Sequence, residues 1–142
     1  MADDDAEDRE MTRKALDKNR LANEFYWVAD GEELLDFLHH RGAWAPPALS
    51  PEPGLILLDL NMPRMDGREA LAQIKADPAL RRIPVVVMTT SQAEQDITRT
   101  YDLGSNSYIS KPITLAGLVE VMRVLGLYWF QIVRLPEPAV GS

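Results

Sequence analysis

The sequence predicts an α/β domain in which a parallel sheet carries helices on both faces. Three observations predict it. Two short runs, Leu55-Ile56-Leu57-Leu58 and Val85-Val86-Val87-Met88, are wholly apolar and follow breakers, Pro51 to Gly54 and Pro84. Strands covered on both faces have that composition. Amphipathic helical patterns lie between the strand patterns, and such alternation implies right-handed crossovers onto a parallel sheet. The length, 142 residues, suits one domain.

The elements follow in order. Residues 9–19 read as a helix with Met11, Ala15 and Leu16 on one side. Phe25-Tyr26-Trp27-Val28 is a weaker strand. Residues 32–40 read as a helix carrying Leu34, Leu35 and Leu38. After the first apolar strand, residues 68–76 form a helix with Ala70, Leu71 and Ile74 inward. After the second, Ser91 and Glu94 make a capping box that opens a helix. Ala93, Ile97 and Tyr101 form its stripe and Gly104 its stop. Ser107-Tyr108-Ile109-Ser110 is a short strand. The last helix starts after Thr114 and runs to about Arg134. Residues 1–135 are thus expected as a single domain with an extended last helix, and 136–142 as a loose tail opened by Pro136 and Pro138.

Composition excludes several classes. The chain is 46% hydrophobic and 26% charged, with no cysteine. Disordered, fibrous and disulfide-built proteins are ruled out. No apolar run approaches the roughly 20 residues of a membrane span, and the acidic start is unlike a signal peptide. A cytoplasmic location is expected, with no membrane partner. Six of the 22 acids and one of the 15 bases fall in residues 1–10, so the start carries -5 of the net charge of -7 and the rest is nearly balanced. No basic stripe suggests nucleic acid.

In open parallel sheets, ligands bind beyond the carboxyl ends of the strands. Asp59 ends the first apolar strand, Thr89 the second, and Lys111 follows the third. The acidic run Asp3-Asp4-Asp5 precedes the first helix. Clustered carboxylates without histidine or cysteine favour Mg²⁺ or Mn²⁺. A carboxylate beside a cation, an ammonium and a hydroxyl can accept a phosphoryl group. Asp5, Glu7 and Asp8 are read as favourable charge at a helix N-terminus. Asp66-Gly67 is read as a turn and helix start, outside the site. His39 and His40 are read as surface residues.

These four motifs, Asp3-Asp4, Leu58-Asp59-Leu60-Asn61-Met62-Pro63, Thr89 and Lys111-Pro112, together resemble the receiver domain of two-component response regulators. The match covers residues 2–126. The long motif around Asp59, Thr89-Thr90-Ser91 and the aromatic C-terminal stretch are most similar to stand-alone regulators paired with phytochrome-type histidine kinases. The resemblance implies a flavodoxin-like, doubly wound five-strand sheet of order 2-1-3-4-5. It implies that Asp59 is the phosphoacceptor and that Asp3, Asp4, Asp59 and the Asn61 backbone carbonyl hold Mg²⁺ or Mn²⁺. Lys111, at an exposed strand edge, would bind the phosphoryl group. Thr89 would hydrogen-bond to it, Tyr108 would be the rotameric switch, and Lys111-Pro112 would be cis. Such a protein would catalyse only its own phosphorylation and dephosphorylation.

One departure bears on the fold. Members of that family carry an apolar first strand directly before the acidic pair, and only Met1-Ala2 stand before Asp3. The first strand is expected to be truncated. Three accounts compete: a longer chain in which Met1 is internal, which we favour, a strand supplied by a partner, or poor folding. A gap at that position would separate the flanking strands by about 10 Å, twice the usual spacing.

Function then divides two ways. One is a phosphoryl-accepting switch that changes partner affinity. The alternative is an unphosphorylated pseudo-receiver used for binding or dimerisation. A phosphatase would want an acid where Asn61 stands, and a flavin-binding domain would want a phosphate loop after a strand. The last helix carries apolar residues on more than one stripe, with Tyr128-Trp129-Phe130 within it. A homodimer through this helix is expected.

Overall fold

The computed structural model describes residues 1–19, 25–47, 51–90, 97, 101, 103–104, 107–112 and 114–126. Helix α1 spans Ala6–Lys18, α2 Gly31–His39, α3 Gly67–Ala76 and α4 Leu115–Leu125. Strand β1 spans Ile56–Leu58, β2 Val85–Thr89 and β3 Ser107–Ser110. All three pair in parallel in the order β1-β2-β3.

Each of these four helices opens on a short polar residue whose side-chain oxygen accepts otherwise unpaired backbone N–H groups. Asp5 accepts from Glu7 and Asp8, Asp30 from Glu33, Asp66 from Glu69, and Thr114 from Gly117. Asp66 therefore caps α3, and Gly67 follows as its first residue. The helix expected after Ser91 lies mostly outside the described residues, though Ile97 and Tyr101 are helical. Gly104 has φ +102, a left-handed value that glycine adopts without strain. Helix α4 is described as far as Gly126, so the expected extension to about Arg134 and the tail lie outside the described residues.

The sheet is buried on both sides. Ile56, Leu58 and Val85 face a core with Leu34, Leu38, Leu71 and Ile74 of α2 and α3. Leu57, Val86 and Met88 face the other core, with Ala15, Leu118 and Met122 of α1 and α4. Alternating strand residues thus serve opposite layers, which is why both strand runs are apolar throughout.

Residues 1–3 form a short stub that bridges the edges on either side. Ala2 forms parallel bridges with both Val28 and Leu58. Its N–H donates to the Leu57 carbonyl at 2.8 Å, and Asp59 N–H donates to the Ala2 carbonyl at 3.0 Å. On the other side Val28 N–H donates to the Met1 carbonyl at 2.9 Å, and Asp3 N–H to the Val28 carbonyl at 3.1 Å. The spatial order is therefore Val28, residues 1–3, β1, β2, β3, a doubly wound arrangement of order 2-1-3-4-5. Of residues 25–28, only Val28 is paired as a bridge, because its neighbour strand is so short. Burial pushes the Met1 ammonium down to about 5, against the pull of the Asp3 charge.

Candidate functional site

The stub delivers Asp3 and Asp4 to the carboxyl edge of the sheet, where β1 delivers Asp59. Oxygens of these three carboxylates lie within 4.8 Å of one another. Asp3 and Asp59 are buried and Asp4 is exposed. Three like charges at that separation repel strongly unless a cation joins them. Buried and exposed hard oxygens, side by side and open on one flank, suit a divalent cation such as Mg²⁺ or Mn²⁺.

Lys111 faces the cluster from the end of β3. Its Nζ donates to Asp3 Oδ2 at 2.7 Å, Asp8 Oδ2 at 2.9 Å and Asp59 Oδ2 at 3.4 Å. An ammonium has three N–H donors, and all three are directed at carboxylates. Lys111 N–H also donates to the Thr89 carbonyl at 2.8 Å, which extends the β2–β3 pairing and anchors the side chain's base. Contrary to the sequence expectation of an exposed strand edge, the Lys111 side chain is 9% exposed. Helix α1 crosses above it and supplies Asp8. The Lys111-Pro112 bond is also not cis as expected: among the described residues the cis bond is Pro46-Pro47. Continued pairing through Lys111 is compatible with trans, the more stable isomer of an X-Pro bond.

Burial works to lower the Lys111 ammonium, but hydrogen bonds to Asp3 and Asp8 and the charges of Asp3 and Asp59 outweigh it. The ammonium is held above its ordinary value. Burial raises Asp3 above the usual carboxylate range despite the Lys111 hydrogen bond.

The loop after Asp59 is braced from α2. Arg64, at φ 62, donates through Nε to Asp30 Oδ2 at 2.9 Å, and Asp30 is buried. Gly31 N–H donates to the Met65 carbonyl at 2.9 Å, and Gly67 N–H to the Leu60 carbonyl at 2.9 Å. A Cβ on Gly67 would collide with the Asp59 carbonyl oxygen and lie 2.8 Å from Leu60 Cα. The glycine therefore lets α3 start directly against the acceptor strand.

The structure brings Asp3, Asp4, Asp59 and Lys111 together. Asn61 N–H approaches Asp59 Oδ1 at 3.4 Å. Thr89 is buried at the end of β2, one strand from Asp59. Tyr108 is half-buried nearer the start of β3, in register with Val87. His39 and His40 are exposed, as read from sequence. Sequence reasoning missed Asp8 and the Asp30–Arg64 pair. Asp8 heads a helical stripe with Thr12 and Ala15, both buried. A carboxylate at the head of an inward stripe was the available signal.

A doubly wound sheet whose strand ends gather three carboxylates around a buried lysine belongs to the signalling domains that carry their chemistry on one sheet edge. Comparison with known proteins makes the class specific. The family profile of the response regulator receiver domain matches residues 1–123, and the chain belongs to that family. It is 38% identical over 136 residues to the response regulator Rcp1 of Synechocystis sp., covering 96% of this chain and 90% of that protein. Among solved structures, a phosphorylated cyanobacterial phytochrome response regulator, RcpA, is 40% identical with a TM-score of 0.86, covering 96% and 95% of the two chains. A Mn²⁺-bound form of Rcp1 is 38% identical with a TM-score of 0.87, covering 96% of each. Among the described residues, no helix is long and apolar enough to cross a membrane.

Proposed function

We propose that this response regulator accepts a phosphoryl group on Asp59 from a histidine kinase, phytochrome-type by analogy with Rcp1 and RcpA, and signals by a change in partner affinity. The observation that carries this reading is the shared ammonium. Lys111 touches both Asp59 and Asp3, so the acceptor carboxylate, the acidic pair and the ammonium at the end of β3 form one contiguous, net acidic group.

Asp3, Asp4, Asp59 and the Asn61 carbonyl are the residues that would hold Mg²⁺ or Mn²⁺. When bound, the divalent cation supplies charge neutralisation for the oxygens of the transferring group. An Asp59 carboxylate oxygen attacks phosphorus. The bond from phosphorus to the donor's nitrogen or oxygen breaks, and its electron pair leaves with the donor. Lys111 exchanges its contact with Asp59 for a phosphoryl oxygen, a charge-assisted bond of roughly 1.5–3 kcal/mol. The Thr89 hydroxyl donates to another phosphoryl oxygen. Tyr108 then moves inward, which alters the surface made by the helix after Ser91, by β3 and by α4.

Residues 1–135 would constitute the receiver and 136–142 a tail. The protein would act as a homodimer through its last helix, where Val124 is already an exposed apolar residue of α4. Nothing in this scheme requires nucleic acid, a membrane or catalysis of another molecule's reaction. Acetyl phosphate with Mg²⁺ tests the reading: intact mass should increase by one phosphoryl group, and Asp59→Asn should abolish the increase. No labelling of the unmodified protein would return the pseudo-receiver alternative.

A further inference from the structure

Trp27 is 47% exposed, one residue before Val28, which bridges to Ala2. One face of its ring is covered. The Arg9 guanidinium, from the start of α1, lies over it with its central carbon 3.8 Å from the ring centroid. The negative face of an indole attracts a cation at that distance, and a planar guanidinium is well suited to the contact.

The same guanidinium donates through Nη1 to the Asp3 carbonyl at 2.9 Å. That carbonyl needs a donor, because Asp3 is wholly buried. The backbone N–H of Arg9 bonds to the Asp5 carbonyl instead, two residues further on. The other polar atoms of Asp3 are engaged as well. Its N–H donates to the Val28 carbonyl at 3.1 Å, Oδ1 accepts from the Asp5 N–H at 2.9 Å, and Oδ2 accepts from Lys111 Nζ at 2.7 Å. Asp4 is held differently. It is exposed, and its carboxylate makes no hydrogen bond or ion pair among the described residues. Its place in the cluster is therefore decided by its backbone. The Asp3 carbonyl shares one peptide plane with the nitrogen and Cα of Asp4. The Arg9 bond that fixes this carbonyl also fixes the direction from which Asp4 enters the cluster.

We propose that Arg9, seated on Trp27, is a positioning residue for the divalent-cation site: it orients the Asp3–Asp4 peptide so that both carboxylates reach one ion together with Asp59. The inference rests on the cation-holding role given above to these three residues. Charge alone would make an arginine a poor neighbour here. A positive group next to Asp3 competes with a bound cation, so its removal would tighten cation binding. Orientation acts with the opposite sign. Groups that aim metal ligands from behind typically contribute about 10–100-fold in affinity. The direction of the change on removing the guanidinium separates the two effects.

The experiment measures Mn²⁺ binding by calorimetry, without a phosphoryl donor, for the unmodified chain and for Arg9→Met, Trp27→Leu and Arg13→Met. Thermal unfolding in EDTA establishes that each is folded. Arg9→Met keeps an unbranched stem and removes the charge and the donor; it is expected to weaken Mn²⁺ binding about tenfold. Trp27→Leu changes no charge and leaves the donor in place without its seat, and a loss of about threefold is expected. Arg13→Met removes the same charge from the same helix, where it pairs with Glu10 and Asp17 and not with Asp3; its affinity is expected to match that of the unmodified chain. Unchanged or tighter binding in Arg9→Met would overturn the positioning role. An equal loss in Arg13→Met would also overturn it, since a general loss of helix stability would then account for both. Unchanged binding in Trp27→Leu would overturn the seat, and this variant decides alone if Arg9→Met does not fold. Absence of Mn²⁺ binding by the unmodified chain would overturn the cation-holding role and this inference with it, whereas binding that no variant alters would overturn this inference only.

Discussion

Removing the Lys111 ammonium exposes the charge balance of the sheet edge. Lys111→Ala leaves Asp3, with no exposed surface, and Asp59, 6% exposed, facing each other without a cation. Breaking a buried ion pair by deleting one partner costs about 3–5 kcal/mol. For a chain of this length that is a fall of about 10–15 °C in unfolding midpoint. The same vacated edge should bind Mg²⁺ more tightly, because the competing ammonium is gone. The variant is therefore expected to be less stable in EDTA and to recover much of the loss in Mg²⁺. Acidity should act the same way. Burial already holds Asp3 above the usual carboxylate range, and losing Lys111 raises it further. For an acid raised on folding, the cost is fully present above the folded value and absent below the unfolded value, so the deficit shrinks as pH falls through that window. Thermal unfolding of both proteins, with EDTA or Mg²⁺, at neutral and mildly acidic pH, measures all of this. Equal midpoints in EDTA at neutral pH, or a deficit indifferent to both Mg²⁺ and pH, would refute the reasoning.

Other consequences follow from the same contacts. Asp8→Asn should weaken Mg²⁺ binding several-fold relative to the exposed control Glu7→Gln, since Asp8 gives the ammonium a seat away from Asp3 and Asp59; equal affinities in a calorimetric titration would remove Asp8 from the site. Gly67→Ala should cost upward of about 2 kcal/mol and impair labelling of Asp59, because the added methyl meets backbone; a fully labelled, equally stable variant would contradict the close approach. The Met1 amine has its pKa lowered on folding to about 5, so the folded state binds fewer protons than the unfolded one above that value. Its contribution should make stability rise with pH from about 5 to about 8, and Nα-acetylation should flatten that rise in a denaturant series. Trp129→Ser with Phe130→Ser should convert a dimer to monomer in sedimentation velocity while Asp59 labelling persists; an unmodified protein that is already monomeric in both phosphorylation states would refute the dimer.

The parallel sheet, its helical layers and the strand-end positions of Asp59, Thr89 and Lys111 were legible in the sequence. The reason is local: doubly buried strands must be apolar throughout, and residues that end such runs must lie at the sheet edge. The starts of α3 and α4 were legible for the same kind of reason, since Asp66 and Thr114 cap by bonds to residues three positions on, whereas α1 starts at Ala6, three residues before the residue 9 read from the sequence. What tertiary structure decided were contacts between residues far apart in sequence. Asp8 reaches Lys111 across 103 positions, and Arg64 reaches Asp30 across 34. Neither pairing leaves a periodic trace in the chain. The burial of Lys111 was likewise decided by α1 crossing above the end of β3. The stub was decided by the sheet as well. Two residues carry too little pattern to read as a strand, yet Ala2 joins both neighbours because each flanking edge needs a partner for its backbone polar groups.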